Sequence, residues 1–107
     1  MNKNSFIASL AFSASLLSAN DLQQLTQRAE QGEVDAQIKL AEYYGDTTQK
    51  HLDSKKAFEW FKKAADQGDK YAQRETARRY LLGRGVKFNL KAGWYYLKQS
   101  RQIEQLK

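Results

Sequence analysis

The chain has 107 residues, enough for one small domain, and it carries a formal net charge of +6. It contains no Cys, no Pro and a single His, which excludes a disulfide framework and a thiolate metal site and leaves stability to packing alone. The charge is uneven: residues 20–69 hold 7 basic and 10 acidic side chains, whereas residues 70–107 hold 10 basic and 2 acidic, an asymmetry able to steer a partner.

The first residues read as an export signal. Lys3 gives a positive start, Phe6–Leu17 is a short apolar stretch diluted by Ser, and Ala19 is a small residue at a cleavage position. The stretch is too short for a comfortable membrane span, which needs about 20 apolar residues. A buried N-terminal helix is the competing interpretation. The expectation is a signal peptide over residues 1–19, a mature domain over residues 20–107, and a periplasmic or secreted protein. No Cys near the cut offers a lipid anchor.

Helices are predicted over residues 21–31, 34–44, 54–66, 70–82 and 90–106. In the first, Leu22, Leu25 and Ala29 echo Phe58, Phe61 and Ala65 of the third. In the second, Ala36, Leu40, Ala41 and Tyr44 share one face at helical spacing. Gly32 and Gly68 stand where a helix ends with a left-handed residue. Asp53, Asp69 and Asn89 stand where an N-cap belongs.

The pattern repeats. "RAEQGEVDAQIKLAEYY" (Arg28–Tyr44) and "AADQGDKYAQRETARRY" (Ala64–Tyr80) lie 36 residues apart. Ala29, Gly32, Ala36, Gln37, Ala41 and Tyr44 match Ala65, Gly68, Ala72, Gln73, Ala77 and Tyr80. Lys55–Ala65 then matches Leu90–Ser100 at an offset of 35, one residue having been lost before Lys91. Such a period marks a solenoid of helix pairs.

These positions resemble the Sel-one-like repeat family, a subclass of tetratricopeptide-like α-solenoids. The first copy supplies Leu40, Asp53, Lys56, Ala57, Trp60, Phe61 and Lys63 beside the matched residues. The second supplies Gly83, Gly85, Val86, Lys91, Ala92, Tyr96 and Lys98. The implied fold is all-α: a superhelix of about two helix-pair repeats, an N-terminal half-repeat and a lengthened C-terminal capping helix. Trp60, Phe61, Tyr95 and Tyr96 are expected to fill the layer between helices, whereas Trp94 stands at a position that should face out, as a cap contact or an exposed anchor. Some positions depart from the pattern. Gly45–Asp53 lacks the two loop glycines, and Thr76 stands in place of Leu. Gly93 lies early in the last helix, at a cost of up to about 1 kcal/mol against Ala.

No catalytic constellation emerges. His51 is alone in a polar loop and reads as solvated, and a metal site needs several ligands at fixed spacing. No Ser sits in a nucleophile-elbow setting. The Gly83–Gly85 pair follows no strand, so a repeat turn explains it better than a phosphate loop. No cofactor is expected.

The resemblance implies that the first helix of each pair lines the concave side. Asp35, Ile38, Lys39 and Glu42, and their repeats Tyr71, Arg74, Glu75 and Arg78, then face away from the core, with Arg79 beside them. Ile38, Glu42, Tyr71, Arg74, Arg78 and Arg79 are the candidate partner-binding residues, since Arg and Tyr are favoured at interface hot spots. The bland alternatives are a Glu42–Arg78 pair between helices and a Glu75–Arg79 pair within one. The resulting expectation is an exported, non-catalytic module that binds a protein of acidic surface through its concave face, as an immunity or adaptor protein of the bacterial envelope. Nucleic acid is not expected as a partner. Membrane contact is limited to the signal or to weak binding of anionic lipid, and solenoid ends leave room for self-association. A groove that binds or hydrolyses a small molecule, and a basic structural protein of the envelope surface, are the alternatives.

Overall fold

Five helices follow one another in the computed structural model, which describes residues 17–106 and the side chains of residues 17–102. They are α1 (Ala19–Glu30), α2 (Val34–Gly45), α3 (Ser54–Asp66), α4 (Lys70–Leu82) and α5 (Leu90–Leu106). Each packs against the next in sequence, so the chain is an all-α solenoid in which every helix finds its partner locally. Most of the expected export signal lies outside the described residues, as do the side chains of Ile103 and Leu106.

The helix starts follow from the caps. Asp53 accepts from the backbone N–H of Lys56 at 3.0 Å, Asp69 from that of Ala72 at 2.8 Å and Asn89 from that of Ala92 at 2.9 Å. Each bond satisfies a donor that the first helical turn leaves open. Ser18 caps α1 by accepting from Asp21 N–H at 3.1 Å. Between helix pairs the chain reverses through Gly32 at φ 97° and Gly68 at φ 100°, conformations open to Gly at little cost.

The repeated Gln has a structural purpose that spacing alone does not reveal. Gln37 Nε2 donates to the carbonyl of Ala29 at 3.0 Å, and Gln73 Nε2 to that of Ala65 at 3.2 Å. Each buried amide therefore ties the end of one helix to the first turn of the next. Gln67 Nε2 adds a second layer, donating to Gln37 Oε1 and to the carbonyl of Gly32, both at 3.0 Å. The corresponding residue one repeat later is Gln102. It lies inside α5, because Ile103 stands where Gly68 ended α3 and the helix runs on. Gln73 Oε1 is buried with no hydrogen-bond partner among the described residues.

The two loops within the helix pairs close in the same way despite different sequences. Asp53 N–H donates to Tyr44 C=O at 2.8 Å, and Asn89 N–H to Tyr80 C=O at 3.0 Å. The second loop turns on Gly83 at φ 65° and Gly85 at φ 79°. The first has no such glycines and turns on Asp46, whose carboxylate accepts from the backbone N–H and the hydroxyl of Thr48 at 3.0 and 2.6 Å. These bonds hold the Asp46 carboxyl below its usual pKa.

Two clusters make the core. Leu25, Ala29, Ala36 and Leu40 join α1 to α2, with Leu17 packed at the edge. Ala41, Phe61, Ala64, Ala65, Ala72, Ala77 and Tyr96 join α2 to α5, and Trp60 packs against both clusters. Phe61 and Tyr96 are buried as expected, whereas Tyr95 is 55 % exposed and rests edge-on against Tyr96 rather than filling the interior. Trp94 faces out, 54 % exposed. Gly93 is more than a weak helix residue: a Cβ there would stand 2.6 Å from Leu81 Cδ2 and 3.3 Å from the Ala77 carbonyl oxygen, so a larger residue would require the Leu81 side chain to shift.

Thr76 occupies the position that Leu40 holds one repeat earlier. Both are fully buried, but the Thr76 hydroxyl has no hydrogen-bond partner among the described residues. A buried hydroxyl without a partner destabilises, and Val has nearly the same shape without it. Thr76→Val is therefore expected to stabilise the fold by about 1 kcal/mol, read as a rise in the urea midpoint at constant slope. A lower midpoint would show that the hydroxyl is satisfied in solution.

Tyr96 gives a second prediction. Burial, and then its hydrogen bond to Asp66 at 2.8 Å, push its pKa up to about 12. Asp66 is also held by Lys62 at 3.0 Å. An unfolded Tyr titrates near 10. The neutral ring therefore stabilises the fold fully below about pH 10, and that contribution is lost as pH rises towards 12. Tyr96→Phe should flatten the alkaline fall in stability between those values. Tyr71, whose pKa is raised in the same direction, should supply the remaining slope. An unchanged alkaline profile in Tyr96→Phe would contradict the assignment.

Candidate functional site

Helices α2 and α4 open the two repeats and stand side by side. Their contact is a polar bridge: the Tyr71 hydroxyl donates to Glu42 Oε2 at 2.9 Å. Burial, and then this bond, raise the Tyr71 pKa, so the phenol stays neutral across the physiological range. Tyr71 is nonetheless 39 % exposed, with its ring edge-on to Phe61. It presents one rigid aromatic surface to solvent while anchored beneath.

The candidate residues do not share one environment. Arg74 and Arg78 are exposed on α4, as the helical wheel places them. Ile38 is half-buried and packs on the core, so it offers less surface than its position suggests. Glu42 does not pair with Arg78. It takes the Tyr71 hydroxyl instead, and Arg78 sits 3.8 Å from Glu75 on its own helix. At that distance the pair is loose and exposed, worth about 0–1 kcal/mol.

Arg79 departs furthest from expectation. It is buried, 7 % exposed, and makes no ion pair with Glu75 among the described residues. Among the described residues Nε and Nη1 have no hydrogen-bond partner. The guanidinium lies 5.2 Å from the centroid of the Phe61 ring, a cation–π contact worth about 0.5–2 kcal/mol. Burial lowers its pKa, partly offset by the negative charge of Glu75 and deepened by Arg84 and Arg78. Gly45 at the end of α2 makes room for it, since a Cβ there would stand 2.9 Å from Nη2. A basic residue beside exposed arginines looks exposed in sequence. The only hint to the contrary was the Gly on the helix facing it.

Glu75, Arg78, Arg79, Leu82 and Arg84 together line a small open cleft of about 20 Å3. Leu82 is the last residue of α4 and Arg84 stands in the turn that follows, where a helical wheel of α4 does not reach. That turn is folded back on the helix: Gly83 and Arg84 both donate their N–H to the carbonyl of Arg79. Three cations and one carboxylate thus converge on one spot beside an exposed Leu82.

His51 is not simply solvated. Its ring stacks flat on Tyr43 at 3.8 Å and 2°, and Nε2 is buried without a hydrogen-bond partner among the described residues. Among the described residues no group of three or more His, Asp or Glu side chains is placed to hold a metal ion. No described helix is long and apolar enough to cross a membrane.

The Sel1 repeat family matches this chain twice, over residues 34–69 and 70–102. The first match takes in α2 and α3, the second α4 and most of α5. No curated protein matches the chain significantly. Among solved structures, one similar to this chain is a protective antigen present in uropathogenic Escherichia coli strains, described as displaying an SLR fold. It is 33 % identical, with a TM-score of 0.68, over 77 % of this chain. The chain spans only 18 % of the length of that structure.

Proposed function

Because the chain belongs to the Sel1 repeat family, we propose that it is a non-catalytic module that binds another protein through the face formed by α2 and α4. Sel1 repeat proteins are in general protein-interaction modules. The observation that carries the proposal here is the composition of that face. A half-exposed, anchored Tyr71 lies beside exposed Arg74 and Arg78 and the arginine-lined cleft. Rigid aromatics and arginines are the residue types that carry binding energy at protein interfaces. The residues from Lys70 onward are strongly basic, which selects for an acidic partner surface.

Export to the periplasm or beyond, with an immunity or adaptor role in the envelope, completes the proposal. The signal-like order of Lys3, the apolar stretch and Ala19 supports it. The description of the solved relative as a protective antigen is in keeping with it. A cut after Ala19 would remove the Ser18 cap and the Leu17 contact with α1, leaving the mature chain with a frayed first helix.

The test is affinity capture of the full chain, tagged at its C-terminus and cross-linked in its native cells, beside the Arg74→Glu/Arg78→Glu variant. One protein recovered in stoichiometric amount with the natural sequence, and reduced at least about tenfold in the variant, is the expected outcome. Equal recovery with both would sink the α2–α4 face as the binding surface.

A further inference from the structure

We propose that the cleft at the end of α4 is a carboxylate subsite, which takes the side chain of an Asp or Glu from an extended acidic segment of the partner. The inference rests on the protein-binding function above and adds the chemistry of one contact within it.

The starting point is Arg79. A guanidinium almost always spends its donors on carboxylates, carbonyls or water. Arg79 is more than nine-tenths buried, yet its Nε and Nη1 bond to nothing among the described residues. Its contact on the protein side is the face of Phe61. Burying one unpaired charge is unfavourable, and proteins seldom retain the arrangement without a compensating interaction. The nearest candidate for internal neutralisation is Glu75, one turn earlier. It instead sits beside Arg78, and only at 3.8 Å. The fall in the Arg79 pKa is the same imbalance seen from its proton.

The surroundings show what kind of group restores the balance. Arg79 is the buried member of the cleft lining, with exposed Arg78 and Arg84 around it. Against these three cations stands one carboxylate, so an anion entering here meets a net positive site. A planar carboxylate matches the fork geometry of the exposed Arg78 and Arg84 guanidinium groups, and its charge offsets that of Arg79 beside them, whose Nε and Nη1 are closed to solvent. Leu82, 59 % exposed at the rim, gives the aliphatic stem of a Glu or a neighbouring apolar residue a place to lie. The turn that carries Arg84 is pinned by hydrogen bonds to the Arg79 carbonyl, so Arg79 and Arg84 are held in a fixed relation. The end of α2 is shaped to the same purpose, with Gly45 leaving the guanidinium its space.

The test is an NMR titration of the full chain with acetyl-Gly-Glu-Glu-Gly-amide, following the Arg Nε–Hε signals and the backbone amides of residues 75–84. Three comparisons run beside it: the Gln-for-Glu peptide, inorganic phosphate, and the chain variants Arg79→Met and Arg78→Gln/Arg84→Gln. The proposal expects a saturable shift at Arg79 with the Glu peptide and none with the Gln peptide. Affinity should fall at least about tenfold in either variant. It also expects the Tm of Arg79→Met to be unchanged or raised, since the variant removes a buried charge that the protein itself does not pair. The exposed double variant keeps the test valid even if Arg79→Met fails to fold. Equal shifts with both peptides, full affinity in Arg78→Gln/Arg84→Gln, or phosphate binding tighter than the Glu peptide would overturn it. The two proposals fail separately. Partner capture retained by Arg79→Met but lost by Arg74→Glu/Arg78→Glu would remove the subsite and leave the binding face standing. Capture retained by both variants would remove the face as well.

Discussion

Replacing Phe61 by Ala is expected to cost about 3–5 kcal/mol of stability. Phe61 is 2 % exposed, and its neighbours in the second cluster are mostly alanines: Ala41, Ala64, Ala65, Ala72 and Ala77. Alanines let helices approach closely, but they have no length with which to fill a void. The cavity left by the ring would therefore stay open, and the cost of truncation grows with the cavity that remains. The ring also carries the edge contact to Tyr71 and the cation–π contact to Arg79. A domain of this size has roughly 5–15 kcal/mol in total, so the variant should be only marginally folded. Phe61→Leu keeps most of the volume and should cost under about 1.5 kcal/mol. Urea unfolding of both variants measures the difference. An Ala variant as stable as the Leu variant would show that the second cluster is not held together by this ring.

Gly85→Ala should cost about 2–4 kcal/mol through a different mechanism. Gly85 has φ 79°, where a Cβ is strained, and a Cβ there would run into the backbone carbonyl of Ser54 at the start of α3. That obstacle is main chain and cannot rotate aside. Gly83 provides the control, because it too has a positive φ, of 65°, but its nearest atom to an added Cβ is 3.6 Å away. Gly83→Ala should therefore show only the conformational penalty, about 1 kcal/mol. The gap between the two variants in thermal unfolding isolates the contact that seats the second loop on the first repeat. Equal costs would mean that Gly85 matters only for its dihedral angles.

The repeat made most of this architecture legible. Helix starts were set by side chains that recur at fixed places, and Asp53, Asp69 and Asn89 all cap as their positions imply. The end of α1 is Glu30 rather than Gln31, and α2 runs one residue beyond Tyr44 to Gly45. What the sequence concealed was long-range pairing. The repeated Gln marks the family pattern, but only the packed helices show it reaching back eight residues to a carbonyl. Tyr95 stands where Trp60 stood one repeat earlier, but it is turned to solvent beside Trp94, and only Tyr96, the counterpart of Phe61, is buried.

The candidate face was legible in part for the same reason. Arg74 and Arg78 depend only on the helical wheel of α4, and both are exposed as it requires. Arg79 depends on what stands opposite. Its place beneath the surface is set by Gly45 and Phe61, which come from two other helices. Arg84 joins it through the geometry of a turn that a helical wheel does not describe.

Amide hydrogen exchange of the chain, alone and bound to the protein it captures, tests the central claim most directly. Binding through the α2–α4 face predicts new protection concentrated in residues 34–45 and 70–84, with α1 and the outer side of α5 unchanged. Protection confined to α5 around the exposed Leu90, Trp94 and Tyr95 would contradict it and place the partner at the end of the solenoid instead.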